Sequence, residues 1–289
     1  TSVTDATRDV RAIEPTALPP GSRVVLAVTG LETYIQCLRR GQLTHELKIT
    51  PDGVTPMGPP IAAAGVEASP FDPLVRGRLV HRLLSGLERL PLYEDADVFV
   101  DAELTALGYD PGEVRLRDAR TDVVRFLRSP VGGALAALAP QARRYELPFC
   151  LRLPAAPYEL EIRGQIDLLC VDEDGPLVID FKHARSHPRS IEAYALQLDA
   201  YAMAVSRMMA SDPPVRTKLV FLRDGPKVHE HLVDGARLAA FEVQACAVAR
   251  AFGELRREPG LWPGRDVNVC QHLGCGFLPR CHSQAPARA

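Results

Sequence analysis

Three charged residues lie within or at the end of apolar stretches in the second half of the chain. Asp180 and Lys182 end the run Leu-Val-Ile-Asp-Phe-Lys, and Asp167 precedes them in Gly-Gln-Ile-Asp. On a β-strand, residues two apart point to the same face, so the Asp180 and Lys182 side chains face the same way. Charged groups in apolar surroundings are costly unless they are paired or bind a ligand. The pattern therefore indicates either an ion-binding site or a structural ion pair.

Two aspartates from neighbouring strands suit a magnesium site. This ion prefers carboxylate oxygens, keeps several waters and binds phosphate oxygens alongside them. An ion held by Asp167 and Asp180 would polarise a scissile phosphate and activate a bound water. Lys182 would orient that water or neutralise charge developing on the phosphate. The alternative is a structural Asp180–Lys182 pair with Asp167 in a turn.

Three residues on predicted helices add to this set. Gln197 and Tyr201 are four residues apart, so they share one face of a helix. His81 lies beside the apolar stripe of the helix that follows Pro73. An ordinary half-buried helix face and a boundary histidine would explain these residues individually. Together with the aspartates and the lysine, they favour a metal site.

The elements that must position these residues are predicted as a helical part followed by a sheet. Thr29 stands three residues before Glu32, a capping-box spacing that predicts the start of a short helix. The proline-rich stretch 51–73 predicts a loop, and helices are predicted after Pro73 and within 98–140. Strands are predicted at 145–153, 158–171, 177–182, 218–223 and 228–233, and further helices at 190–208 and 237–256. This order is typical of an α/β or α+β fold.

Four motifs stand in a fixed order along the chain: Gly77-x-x-x-His81, Gly164-x-x-Asp167, Asp180-x-Lys182 and Gln197-x-x-x-Tyr201. Together they resemble the RecB-like branch of the PD-(D/E)XK nuclease superfamily, found on bacterial helicase–nucleases and related exonucleases. The resemblance implies a restriction-endonuclease-like α/β fold, with a mixed sheet flanked by helices. It also implies a helical N-terminal insertion and a C-terminal cysteine segment.

The resemblance also implies a role for each motif residue. His81, Asp167 and Asp180 would bind Mg²⁺ or Mn²⁺, with the backbone carbonyl of Phe181 as a further contact, and Lys182 would be the catalytic lysine. The accessory residues would lie near the DNA backbone; they are Gln197 and Tyr201, with Glu146 at a place where the family often has an acidic residue.

Seven cysteines in a large chain argue against a disulfide framework and favour thiols or metal ligands. Cys270, Cys275 and Cys281 are close enough in sequence to suggest zinc or an iron–sulfur cluster. His272 or His282 would complete a local zinc site. A subset of the same nuclease family carries a [4Fe–4S] cluster held by one cysteine far upstream and three at the C-terminus. The resemblance to this subset implies Cys37 as the fourth ligand. The cluster would then join the N-terminal helix to the C-terminus.

The remaining cysteines, Cys150, Cys170 and Cys246, lie in apolar contexts and are predicted to be buried. Free thiols throughout the chain remain the third alternative beside the cluster and zinc.

The composition is typical of a globular protein, but it lacks the excess of basic residues that is common in nucleic-acid-binding proteins. The chain has 289 residues, 46% of them hydrophobic, and a formal net charge of −2. A DNA binder is often basic overall, so a DNA partner requires a local basic groove within a neutral total. The absence of a long apolar run and of a signal-peptide layout predicts a cytoplasmic protein with no membrane association.

The predicted domain layout is a tail at 1–23, one nuclease domain at 24–282 and a tail at 283–289. The domain divides into a mainly helical part (24–143), a catalytic sheet core (144–235) and a C-terminal helix with the cysteine segment (236–282). The chain begins at Thr1 rather than Met and contains no phosphate-binding Gly-x-x-x-x-Gly-Lys-Ser/Thr loop. The chain thus has no helicase motor of its own, and the resemblance to helicase–nucleases implies a helicase as a partner or as the missing N-terminal part of a longer chain.

The sequence predicts a Mg²⁺- or Mn²⁺-dependent deoxyribonuclease that acts on single-stranded DNA or DNA ends. The expected setting is exonuclease action in DNA repair or recombination, or the nuclease part of a helicase–nuclease. One alternative is a non-catalytic DNA-binding or scaffolding domain of the same fold. Another is a metal–thiolate module in which Asp180 and Lys182 form a structural pair.

Overall fold

A computed structural model describes residues 18–51, 73–88, 95–210, 214–256 and 260–282. Most of the two predicted tails, and nearly all of the loop predicted at 51–73, lie outside these ranges. None of the helices in the described ranges is both long and apolar enough to cross a membrane.

The sheet has six strands of mixed orientation. The strand β3 pairs with β2 in antiparallel fashion along one edge. Its other edge pairs first with β1, in parallel, and then with β4, antiparallel. The order continues through β5, which is parallel to β4, to β6. The strands are β1 (Arg23–Ala27), β2 (Arg143–Ala155), β3 (Tyr158–Asp172), β4 (Gly175–Lys182), β5 (Val215–Phe221) and β6 (Lys227–Val233).

The change of partner along β3 positions the candidate site. Residues 159–163 pair with β1 and residues 168–172 pair with β4. Asp167 therefore lies where β1 and β4 diverge, and its edge of the strand has no backbone ladder at that point. Such a gap gives side chains access to the sheet from outside.

Helices cover both faces of this sheet, as the sequence predicted. An N-terminal set consists of α1 (Val28–Gln36), α2 (Leu38–Gly41) and a π-helical turn at Gln42–Glu46. Next come α3 (Pro73–Ser85), α4 (Ala96–Ala106), α5 (Arg117–Leu127) and α6 (Pro130–Ala137). The crossover helix between β4 and β5 is α7 (Pro188–Met209), and α8 (Gly235–Leu255), α9 (Val267–His272) and α10 (Leu278–His282) follow the sheet.

Two apolar cores lie on opposite faces of the sheet. One contains residues of α1, α7 and α8, and the other contains residues of α3, α4 and α5. Along β4 the core residues alternate, since Val178 belongs to the first core whereas Leu177 and Ile179 belong to the second. This alternation explains the continuous apolar run of β4, because a strand covered on both faces is apolar at every position.

Three local predictions are corrected by the structure. The short strand β1 was not predicted. The Thr29–Glu32 capping box is wrong, because α1 has Ala27 as its N-cap, with no side-chain cap, and Thr29 lies inside the helix. The strand β1 ends at Ala27 and passes directly into the helix, so this junction sets the boundary. Cys150 is exposed rather than buried, because its neighbours Phe149 and Leu151 take the inward positions of β2.

Candidate metal centre

Asp180 is a buried carboxylate that lacks a hydrogen-bond donor. Its side chain is 1% exposed, and among the described residues neither carboxylate oxygen accepts a hydrogen bond. The Lys182 Nζ lies 2.7 Å from Asp180 Oδ2, which is an ion-pair distance without hydrogen-bond alignment. Burial raises the pKa of Asp180, and the Lys182 charge acts in the opposite direction. Such a group is stabilised by a cation placed against its free oxygens.

Asp167 lies in the gap between β1 and β4, and its side chain forms a hydrogen bond with β4 where backbone pairing is missing. Its Oδ2 accepts a hydrogen bond of 2.8 Å from the backbone N–H of Phe181. This bond fixes the orientation of the carboxylate relative to β4. The other oxygen, Oδ1, lies 3.4 Å from Nδ1 of His81. The hydrogen bond from the Phe181 N–H thus fixes the peptide group between Asp180 and Phe181 relative to Asp167.

His81, Glu146 and Asp167 form a group with metal-ligand spacing. Their ligand atoms all lie within 4.8 Å of one another, although they come from α3, β2 and β3. Burial opposes protonation of His81, but the Asp167 and Glu146 carboxylates outweigh it and raise the pKa of His81 to about 10. A ring that holds a proton so strongly marks a site of concentrated negative charge, which a divalent cation would also satisfy.

The structure distributes the predicted metal ligands differently from the prediction. Asp180 is near enough to influence the pKa of His81, but it lies outside the close group. Glu146, predicted as an accessory residue, lies inside that group. For Phe181, the backbone N–H bonds Asp167, while the predicted metal contact concerns its carbonyl.

Lys182 is held by side chains of α7. Its ammonium donates to Gln197 Oε1 at 3.2 Å and lies 4.4 Å from the centre of the Tyr194 ring. Gln197 Nε2 in turn donates to the Tyr201 hydroxyl. Gln197 and Tyr201 are 7% and 4% exposed, so in this structure they support Lys182 from behind instead of facing solvent. Tyr194 was not predicted, although it lies three residues before Gln197 on the same helix face.

Glu32 is a second residue whose place in the site was missed. Burial raises the pKa of this carboxyl, and the charge of Lys182 lowers it, so the two groups are close enough to interact. Gln36 donates a hydrogen bond of 3.1 Å to the Glu32 carboxylate. Because α1 follows β1 directly, the helix projects its first turns over the strand ends where Lys182 lies.

The four predicted cluster cysteines are near enough for the other three thiols to influence Cys270. Burial raises the pKa of Cys270, and the neighbouring thiols Cys275, Cys37 and Cys281 raise it further. Cys37 lies between α1 and α2, far from the others in sequence. No three of these four sulfurs lie within 4.8 Å of one another. His272 and His282, the alternative zinc ligands, are exposed.

The mixed sheet, with an acidic group and a buried lysine where its strands diverge, is the architecture of a nuclease fold. The chain belongs to the PD-(D/E)XK nuclease superfamily, whose sequence model matches residues 25–282. Curated relatives named as helicase/nuclease subunits are similar to part of this chain.

Two of these relatives are named as subunits of an ATP-dependent helicase/nuclease. The protein of Moorella thermoacetica is 34% identical over 125 residues, which cover 39% of this chain and 8% of the relative. That of Desulforamulus reducens is 28% identical over 173 residues, which cover 54% of this chain and 14% of the relative. The matches thus span less than a sixth of either relative.

A solved structure from Eubacterium rectale, provisionally named an exonuclease, is also similar. It shares 11% sequence identity with this chain at a TM-score of 0.45, covering 86% of this chain and 87% of the other.

Proposed function

We propose that the chain is a DNA nuclease that hydrolyses phosphodiester bonds with the aid of Mg²⁺ or Mn²⁺. The observation that carries this proposal is Asp180, whose buried oxygens accept no hydrogen bond from the described residues and have only the Lys182 ammonium beside them. It lies beside the close group of His81, Glu146 and Asp167. Carboxylate oxygens and an imidazole nitrogen are donors that these ions accept. Membership of a nuclease superfamily supports the same activity.

The residues divide into ion-holding and charge-neutralising groups. His81, Glu146, Asp167 and Asp180 would hold the divalent ion, which when bound lowers the pKa of a coordinated water and polarises the phosphate. Lys182, fixed by Gln197 and Tyr194, carries the positive charge that would neutralise the developing oxyanion. Gln197 and Tyr201 would act through Lys182, because their hydrogen bonds fix its position.

The names of the curated relatives guide the proposed setting. We infer that the substrate is DNA, either single-stranded or at an end, and that a helicase acts with this domain. Exonuclease action in DNA repair or recombination is the setting that fits a helicase partner. The alternative of the same fold is a non-catalytic DNA-binding domain, and retention of both aspartates and the lysine favours the enzyme.

The nuclease proposal is tested with end-labelled linear single- and double-stranded DNA, in magnesium, in manganese and with a chelator. We expect metal-dependent cleavage that is abolished in Asp180→Ala, because the variant loses an ion ligand. Lys182 also loses its ion-pair partner in this variant, so a thermal melt is used to check that the protein remains folded. Asp174→Ala is the matched control, because Asp174 lies in the turn before the same strand and its side chain is 83% exposed. Cleavage by Asp180→Ala at the wild-type rate would refute the site assignment, and binding of DNA without cleavage by the wild type would favour the alternative.

We also propose a [4Fe–4S] cluster on Cys37, Cys270, Cys275 and Cys281. Thiolates are the ligands of such clusters, and these four converge from the two ends of the domain. The resemblance to the iron–sulfur subset of the family, which has one cysteine far upstream, favours a cluster over zinc.

Iron content and visible absorption of anaerobically purified protein test the cluster. We expect Cys275→Ser to lose iron and to lower the melting temperature, because a serine hydroxyl is a poor ligand for iron. Cys150→Ser should keep both properties, since Cys150 is exposed on β2 and is outside the cluster set. Full iron content in Cys275→Ser, or zinc in the wild type instead of iron, would exclude this assignment.

A further inference from the structure

Gly77 occupies an interior helix position for which packing gives no reason. It lies in α3, and glycine destabilises a helix interior relative to alanine. Among the residues that the structure describes, no atom lies within 4 Å of the place where a Cβ on Gly77 would stand. A methyl group would therefore fit here and would favour the helix.

Other glycines near the helical elements have a clear packing role. A Cβ on Gly86, just after α3, would lie 2.5 Å from the carboxyl group of Glu103. A Cβ on Gly41 would lie 2.0 Å from the ring of Tyr34. At Gly41 the Tyr34 ring thus excludes a larger residue, and at Gly86 the Glu103 side chain would have to shift. Gly77 differs from them because none of the residues that the structure describes occupies the space above it.

The open space lies next to the candidate metal centre. Gly77 is four residues before His81, so both lie on the same face of α3, about 6 Å apart along the helix axis. Arg78 is exposed beside this strip and presents a guanidinium group. Gly77, where the helix has no side chain, and the neighbouring Arg78 therefore lie about one helical turn from His81 of the acidic group.

We propose that the sugar–phosphate backbone of the substrate strand passes directly over Gly77 into the site, with Arg78 beside a phosphate. This inference rests on the proposed nuclease function and adds the path of the substrate. Glycine is used where a ligand must approach protein backbone closely. Guanidinium groups bind phosphate oxygens in the same way that they bind carboxylates. Gly77 is therefore a substrate-positioning residue, and the feature it contributes is the absence of a side chain.

The test is a size series at Gly77 with a matched series at Gly133. Gly133 also lies within a helix, α6, and has no atom of the described residues within 4 Å of its Cβ position. The helix α6 packs near Leu177, at the other end of β4 from Lys182. The variants are Gly77→Ala, Gly77→Leu, Gly133→Ala and Gly133→Leu. The measurements are melting temperature, Mn²⁺ affinity, and KM and kcat for a single-stranded oligonucleotide.

We expect both alanine variants to melt about 2 °C higher than the wild type, because each adds helix propensity. Cleavage should separate them: kcat/KM falls about tenfold in Gly77→Ala and about a hundredfold in Gly77→Leu, and stays at the wild-type value in the Gly133 variants. Mn²⁺ affinity should be unchanged in all four, because none of them removes an ion ligand.

Two results would overturn the proposed path while leaving the nuclease function intact. One is wild-type cleavage by Gly77→Leu. The other is a lower melting temperature in Gly77→Ala, because it would show that the chain itself packs over Gly77. A wild-type protein that neither cuts nor binds the oligonucleotide would instead refute the nuclease function and this inference together.

Discussion

At the scale of single residues, Asp180 and Lys182 form a buried ion pair. The Asp180 side chain is 1% exposed, and the Lys182 side chain beside it is 16% exposed. Burial opposes the charged form of Lys182, but the Asp180 and Asp167 carboxylates together outweigh it and raise the pKa of the lysine. Each charge therefore depends on the other while no ion is bound. Removal of one partner leaves the other as an uncompensated buried charge, which is strongly destabilising.

Lys182→Met is expected to separate the catalytic and structural contributions of the lysine. In the presence of a chelator, the free energy of unfolding of the variant should be roughly 3 kcal/mol lower than that of the wild type, because Asp180 loses the Lys182 ammonium. Added Mg²⁺ should restore much of this loss, while kcat stays about 10²- to 10³-fold low because the charge that stabilises the oxyanion is missing. Thermal melts with and without Mg²⁺, together with single-turnover cleavage, measure both effects.

Lys218→Met is the control for this prediction, because Lys218 pairs with Glu230 on the surface of the same sheet. It should melt and cleave nearly as the wild type does. A Lys182→Met protein that is equally stable with and without Mg²⁺ would contradict the interdependence of the pair.

At the scale of elements, β2 and β3 both reverse their faces at the candidate site. In β2, Tyr145 faces the core of α3, α4 and α5, whereas Phe149 faces the core of α1, α7 and α8. In β3, Ile166 and Leu168 likewise belong to opposite cores, although two residues apart they would share a face in a regular strand. The reversal falls at Glu146, which has a left-handed φ of 50°, and at Asp167, which is opposite it. The irregularity directs both carboxylates towards His81.

The glycine of Gly164-x-x-Asp167 has a packing role in this pair of strands. A Cβ on Gly164 would lie 2.6 Å from the Phe149 ring and 2.8 Å from a methyl group of Val28. Gly164→Ala should therefore destabilise the protein by about 1–3 kcal/mol through overpacking. Chemical denaturation measures the loss, and cleavage by the remaining folded protein should persist.

The control for this prediction is Gly133→Ala, because Gly133 occupies an open position. Gly175→Ala is unsuitable as a control, because Gly175 has a φ of 94°. A Gly164→Ala variant at least as stable as the wild type would disprove this role.

At the scale of the whole molecule, the N-terminal helices are joined to the C-terminal segment by hydrogen bonds that do not involve the cysteines. Gln42 donates to the Gly260 carbonyl at 2.8 Å and accepts from the Trp262 N–H at 2.8 Å. Arg39 donates to the Trp262 carbonyl at 2.7 Å. Arg265 returns the contact by donating to the carbonyls of Gln36 and Ile35. The closure of the domain thus has a protein component that is independent of any cluster.

Gln42→Ala is expected to weaken this closure. The side chain is 7% exposed, so its loss leaves two backbone groups without their partner, at a cost of about 2 kcal/mol. Hydrogen exchange should show faster opening of residues 260–265 while the sheet remains protected. Gln271→Ala, on the exposed face of α9, should leave both measurements unchanged. Uniform protection in Gln42→Ala would mean that other contacts hold the two ends together.

The sequence alone determined the features that depend on local periodicity. The shared face of Asp180 and Lys182 follows from strand geometry, and that of Gln197 and Tyr201 follows from the helical repeat. The apolar stripe of α3 and the strands β2 to β6 were predicted for the same reason, whereas β1 was missed. These patterns arise between near neighbours, so they can be recognised without knowledge of the rest of the chain.

Only the tertiary structure decided how these residues meet. Glu146 joins His81 and Asp167 because two strands reverse their faces together, and Glu32 approaches Lys182 because β1 pairs with β3 and leads directly into α1. These relations depend on contacts between residues far apart in sequence and on a departure from strand periodicity. Local sequence patterns contain no information on long-range contacts or on this irregularity of the strands. The sequence therefore indicated the candidate residues, and long-range strand pairing set their relative positions.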